Sequence, residues 1–154
     1  MTENATKKLL LSSWKIIPHF PCTSVAATVK FYTESLHFTL GGVHPDDCPQ
    51  EEAEMCSVAV GKKADANIYL FRKPGPFEPS AAMIAMGTNQ LDKYYQLLLD
   101  EGKVEISVPI KDQPWGYRQF EIKDVDGNRI QFFKFLEGGN PGTPDGGDAS
   151  LLLE

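Results

Sequence analysis

Few side chains in this 154-residue chain are suited to chemistry, and their spacing limits what that chemistry is. His19 lies in a run of strand character, 16–22. An imidazole there suits acid–base work near neutral pH, or serves as a satisfied structural residue. Cys22, Cys48 and Cys56 are odd in number and match no Cys-x-x-Cys spacing, so free thiols in a reducing, cytoplasmic setting are expected. Trp115, between Pro114 and Gly116, places an indole on a constrained corner where it can stack on a planar ligand or brace its loop. Arg118 follows, able to orient a ligand or to pair with a carboxylate. The acidic pairs Asp46-Asp47 and Glu51-Glu52 sit with His44 in a polar loop and read as solvated. Paired carboxylates acting as acid and base need a shaped cleft, which nothing near them indicates.

The elements that position these residues belong to a chain long enough for one full core or two small fused modules. Its charge is −6, with no basic stripe to neutralise phosphates, so no nucleic-acid partner is expected. The early apolar run Leu9-Leu10-Leu11 is too short to span a bilayer, so no membrane is expected either.

Residues 1–14 read as a lead-in segment. Ser24 is an N-cap, and Val25, Val29, Tyr32 and Leu36 recur at helical spacing, predicting a helix over about 25–37. Strands are expected over 38–43, 55–60 and 67–72. Three prolines and a glycine at 74–79 stop regular structure. A short strand at 82–86 precedes a helix capped by Asn89 and stopped by Gly102, then a strand at 104–110. Residues 117–123 and 129–135 form a hairpin closed by Asp124-Val-Asp-Gly-Asn128, which supplies positive φ and side-chain-to-backbone bonds. The Gly/Pro-rich stretch 137–154 is expected to be a flexible tail on which Leu151–Leu153 form one apolar triplet.

Each half thus reads strand, helix, strand, strand, strand, with corresponding features roughly 62 to 66 residues apart. Ile68-Tyr-Leu-Phe-Arg72 falls over Ile130-Gln-Phe-Phe-Lys134, and Val25 over Leu91. The opening Pro18-His-Phe-Pro-Cys-Thr-Ser-Val-Ala-Ala-Thr-Val-Lys-Phe-Tyr32, followed by Leu36-His-Phe38, resembles that of the vicinal oxygen chelate superfamily. That superfamily contains glyoxalase I, bleomycin-resistance proteins and extradiol dioxygenases. Trp115-Gly-Tyr-Arg-Gln-Phe120 and Asp124-Val-Asp-Gly-Asn128 resemble its closing hairpin. The resemblance is greatest to the bleomycin-resistance branch, with Ser24 where an Asp is usual and Val125 where a Pro is usual.

The resemblance implies an α+β domain over 15–136, built of two βαβββ modules, 15–73 and 80–136, that form a half-barrel with a concave ligand groove. Alternation then places Ile17, His19, Tyr69, Phe71, Met83, Ala85, Gln131 and Phe133 on the groove side, with Trp115 at its mouth and Arg118 beside it. Filling a core is the other use of these aromatics. The family's four metal-ligand positions carry over to Ile17, Tyr69, Met83 and Gln131, where only Gln131 is a donor. A catalytic metal wants about three His, Glu or Asp ligands. No metal and no cofactor are therefore expected, although a two-residue slip would bring His19 into the set.

Three functions follow from the resemblance: a metal-free protein that binds a bulky, partly aromatic metabolite or drug; a metal-independent isomerase, lyase or cyclase using His19; and, with least support, a metal-dependent glyoxalase or dioxygenase. A small-molecule ligand and a homodimer are the expected partners, because open strand edges and an apolar face call for cover.

Overall fold

Local chemistry sets most of the elements in the computed structural model, which describes residues 3–142. A helix α1 (Glu3–Leu10) occupies the lead-in, with Leu9, Leu10 and Leu11 exposed. The first module comprises β1 (His19–Cys22), α2 (Val25–Lys30), β2 (Thr39–His44), β3 (Met55–Val60) and β4 (Ala66–Arg72). The second comprises β5 (Ala81–Ala85), α3 (Gln90–Glu101), β6 (Glu105–Asp112), β7 (Tyr117–Lys123) and β8 (Arg129–Phe135). No described helix is long and apolar enough to cross a membrane.

Ser24 caps α2 as its side chain allows, its Oγ accepting from the Ala27 N–H at 3.1 Å. The predicted helix 25–37 is α-helical only to Lys30 and continues as a π-helical turn, Phe31–Ser35. There the Leu36 N–H reaches back five residues to the Phe31 carbonyl at 3.1 Å. The wider turn rotates Tyr32 and Leu36 into the core, where both are about fully buried. Gly102 ends α3 in the left-handed region (φ 66°), its N–H donating to the Leu98 carbonyl at 3.0 Å.

The strands form two mixed four-stranded sheets of identical order, β1-β4-β3-β2 and β5-β8-β7-β6, with no closed barrel. In each sheet the first and last strands pair in parallel: His19 stands opposite Tyr69, and Met83 opposite Gln131. The duplication read at low identity is thus a duplication of topology, as expected for two βαβββ modules. Strand β1 begins at His19, so Ile16 and Ile17 precede it.

One face of each sheet carries the core. Phe20, Val58, Ile68 and Leu70 in the first sheet, with Phe120, Ile122, Ile130 and Phe132 in the second, pack with Val25, Tyr32, Leu91 and Leu98 in one buried cluster. Phe132 joins the modules through its ring contact with Phe38 at 6.3 Å, and packs on Tyr94 of its own module at 5.1 Å. Burying side chains of this size stabilises by about 1.5–3 kcal/mol each.

A buried polar clasp also crosses between modules. The Tyr32 hydroxyl donates to Asp124 Oδ2 at 2.7 Å. Asn128 Nδ2 donates to the Pro21 carbonyl at 2.8 Å and to Asp124 Oδ2 at 2.9 Å, while Asn128 Oδ1 accepts from the Ser80 N–H at 2.8 Å. The corner holding this clasp is the one predicted: Asp124 Oδ1 accepts from the N–H groups of Asp126 and Asn128, and Gly127 supplies φ 86°. Burial raises the Tyr32 hydroxyl well above the usual phenol pKa, so it remains a donor.

The stretch expected to be a free tail from 137 is held at its start. Asn140 Oδ1 accepts from the Phe135 N–H at 2.9 Å, its Nδ2 donates to the Phe135 carbonyl, and the Pro141 carbonyl accepts from the Thr88 N–H at 2.7 Å. The apolar triplet Leu151–Leu153 lies outside the described residues.

Cys22 and Cys56 are fully buried and free, while Cys48 is partly exposed. Burial pushes the Cys22 thiol up and the Cys56 thiol up to about 12. A colorimetric disulfide reagent at about pH 8 is therefore expected to titrate Cys48 alone in the native protein, since the thiolate is the nucleophile. All three thiols should react in denaturant. Fast native reaction of Cys56 would contradict this core.

Candidate functional site

The sheet faces opposite the core carry the residues singled out for binding, and they fall into two sets. On the first sheet, β1 and β4 bring His19, Tyr69 and Phe71 together. The His19 ring stacks on Tyr69 at 6.0 Å and 13°, and lies 4.8 Å from Phe71. The linker after β4 curls beside them, so that His19, Pro21, Phe71, Arg72, Phe77 and Ser80 line a cavity of about 580 Å3. His19 is exposed at its edge.

On the second sheet, Met83 is 46 % exposed and stands beside Gln131 in register. Phe133 stacks on Tyr117 at 4.9 Å and 25°, and meets the Phe135 ring edge-on. Trp115 is 59 % exposed, and its Nε1–H donates to Gln119 Oε1 at 3.3 Å, on the same face. It is thus an exposed ring tethered to the strand that carries Tyr117.

At the centre of this second set is Glu121, only 6 % exposed. Its Oε2 accepts from Ser107 Oγ at 2.7 Å, and its Oε1 from Gln131 Nε2 at 3.2 Å and from Arg129 at 3.5 Å. Buried carboxylates are retained when they are hydrogen-bonded, and this one is fixed by three side chains. Sequence reasoning passed over Glu121. The signal was present: on β7 it shares the phase of Tyr117 and Gln119, and the hairpin register sets it directly opposite Gln131.

Two expected positions are corrected. Ile17 precedes β1, and the residue equivalent to Met83 is His19, because His19 opposite Tyr69 matches Met83 opposite Gln131. The two-residue slip is therefore the register the chain adopts. Arg118 lies on the helix side of β7. Its Nε and Nη2 donate to Asp92 on α3 at 2.9 and 3.1 Å, and its Nη1 to Asp112 at 3.0 Å. The Asp92 bond comes first in raising the guanidinium pKa, and a group so engaged is not offered to a groove ligand.

The two sets do not meet. Among the described residues, no ring contact or hydrogen bond joins His19, Tyr69 or Phe71 to Met83, Gln131, Phe133 or Trp115. What the modules share is the core on their other faces. Nor do three His, Cys, Asp or Glu side chains gather among the described residues in a group that could hold a metal ion.

Comparison with known proteins agrees with this duplicated architecture. The model of the Glyoxalase/Bleomycin resistance protein/Dioxygenase superfamily matches residues 16–132. The chain is 27 % identical over 131 residues to a bleomycin resistance protein of Geobacillus stearothermophilus, covering 79 % of this chain and 96 % of that one. Among solved structures it shares its fold with the bleomycin-binding protein of bleomycin-producing Streptomyces verticillus, complexed with copper(II)-bleomycin. There the TM-score is 0.60 at 19 % identity, over 79 % of this chain and 95 % of that one. TioX from Micromonospora sp. ML1 superposes with a TM-score of 0.59 at 18 % identity, over 80 % of this chain and all of that one. With two βαβββ modules in one order and a family model spanning both, the chain belongs to the glyoxalase/bleomycin resistance protein/dioxygenase superfamily.

Proposed function

We propose that the protein binds and sequesters a bulky, partly aromatic small molecule, without a resident metal, in a groove completed by two copies of the chain. The carrying observation is the pair of aromatic faces, each with a small polar complement and neither touching the other within one chain. In a homodimer the His19 face of one copy opposes the Gln131 face of its partner, covering apolar surface that one chain leaves open. Aromatic walls with few polar groups are the usual make-up of a small-molecule site. Gln131, oriented by its bond to Glu121, then gives the ligand's polar groups a fixed partner, and Trp115 stacks on it from the rim.

The metal-free reading is supported by the donor set. The four paired positions His19, Tyr69, Met83 and Gln131 hold one imidazole and one carboxamide, short of the roughly three strong ligands a catalytic zinc or iron needs. A catalytic reading is favoured by one observation: the His19 ring is exposed at the edge of the first-sheet cavity, where it can exchange a proton with a bound molecule.

The chain has two tryptophans, so Trp14→Phe leaves Trp115 as the sole reporter. In that variant, bleomycin, used as a probe because a fold relative binds it, is expected to quench Trp115 fluorescence saturably. Trp115→Ala should weaken calorimetric binding about fivefold or more without altering the unfolding curve, from the range for stacked aromatic pairs. Sedimentation should give a dimer, and elemental analysis no stoichiometric transition metal. A 17.1 kDa species at tens of micromolar (about the range where obligate pairs persist) would overturn the proposed site, as would an unresponsive Trp115.

A further inference from the structure

We infer that the chain carries a second, separate small-molecule site in the crevice between its modules, on the core side of the sheets, and that this site takes a compact, mostly apolar molecule bearing a hydrogen-bond donor. The cavity there measures about 710 Å3. That lies within the roughly 300–1,000 Å3 of ordinary ligand pockets. Leu36 and Phe38 after α2, Ile84 and Met86 at the end of β5, and Tyr94 and Phe132 form its apolar wall. None of the aromatic residues of the two sheet-face sets lines it. Of the residues placed on the groove side only Ala85, at the end of β5, borders it, so the two sites are spatially distinct.

Gln90 distinguishes this cavity from a packing gap. It opens α3, lines the cavity, and its Oε1 is buried with no hydrogen-bond partner. A buried amide oxygen left unpaired is costly, and a molecule that donates to it recovers what the empty wall lacks. Oε1 faces the wall at Gly87; the terminal torsion of a Gln side chain is broad, so binding would turn this amide edge toward the ligand. Behind it the wall is tight: a Cβ at Gly87 would fall against Gln90 Oε1 and 2.9 Å from the Pro141 carbonyl. That carbonyl belongs to the segment tied down by Asn140 and Thr88, so the chain after β8 closes one side of the cavity. Polar His37, Lys62 and Asp65 also line it. His37 is held to Glu101 across the modules at 2.7 Å. An apolar interior, a polar margin and one unmatched acceptor together specify a neutral ligand with an N–H or O–H.

The test is an amide NMR titration of the full chain with indole, and with N-methylindole as the donor-less control. Shifts should cluster at Phe38, Ile84, Met86 and Gln90, and indole should bind about fivefold more tightly, the gain expected of one buried hydrogen bond. Gln90→Leu should erase that preference while N-methylindole still binds, and Ala66→Phe, which fills the cavity from β4, should abolish both. If Ala66→Phe does not fold, the Gln90→Leu comparison decides alone. Shifts confined to the His19 or Phe133 faces, no saturable shifts, or an indole preference that survives Gln90→Leu would each overturn the inference. The first of these would still leave the sheet-face proposal standing.

Discussion

Asn128→Ala is expected to be the most destabilising polar substitution in the chain, costing roughly 3–5 kcal/mol. Asn128 is fully buried, and its carboxamide satisfies three groups drawn from three segments. These are the Pro21 carbonyl at the end of β1, the Ser80 N–H before β5, and Asp124 in the hairpin corner. Removing it leaves each without that partner, and a buried unpaired group costs about 1–3 kcal/mol. The loss also loosens the first module from the second, because Pro21 belongs to one and Asn128 to the other. Urea unfolding should report the cost directly, and a change under about 1 kcal/mol would mean that solvent replaces these bonds.

The pH dependence of that variant follows from Asp124. Burial raises the pKa of its carboxyl above 3.8, ahead of the lowering effects of Asn128, Tyr32 and two backbone N–H groups. A carboxyl with a raised folded pKa binds its proton more tightly folded than unfolded. Its contribution therefore favours the fold below the unfolded value and is lost as pH rises through the folded one. Without Asn128 one lowering bond is gone, so the pKa climbs further. The stability deficit of Asn128→Ala should accordingly be smaller near about pH 4 than near pH 7. A deficit that grows on acidification would show that Asp124 is better served as an anion than its burial implies.

Phe132→Ala should cost about 3–5 kcal/mol, the range for a large aromatic removed from a packed core. Phe132 is 2 % exposed and touches the rings of Phe38, Tyr94 and Phe120. Two of the three lie in its own module and Phe38 in the other, so the cavity left behind borders both. For a domain of this size the melting temperature should fall by roughly 10 °C or more. Phe135→Ala is the control: it is 42 % exposed on the same strand, at the other side of the sheet, and should change the melting temperature little. Equal losses at the two positions would invert the assignment of faces, and with it the location of the proposed ligand groove.

What the sequence by itself determined was whatever depends on near neighbours. The hairpin 117–123 and 129–135, the corner at Asp124–Asn128, the Ser24 cap and the Gly102 stop are each decided within a few residues, and all were legible. Alternation likewise separated Phe132 from Phe133 and placed His19 and Tyr69 on one face. Glu121 was legible by the same count and was passed over. Tertiary structure alone decided the rest. The register of β1 on β4 joins strands separated by a helix and a hairpin, so a two-residue shift between Ile17 and His19 changes no local preference; only packing of the whole module selects it. The contact of one module with the other, the bond from Asn128 to Pro21, and the crevice that leaves Gln90 unmatched depend on residues far apart in the chain. No periodicity records them, because the surfaces that meet there are fixed only once both modules have folded.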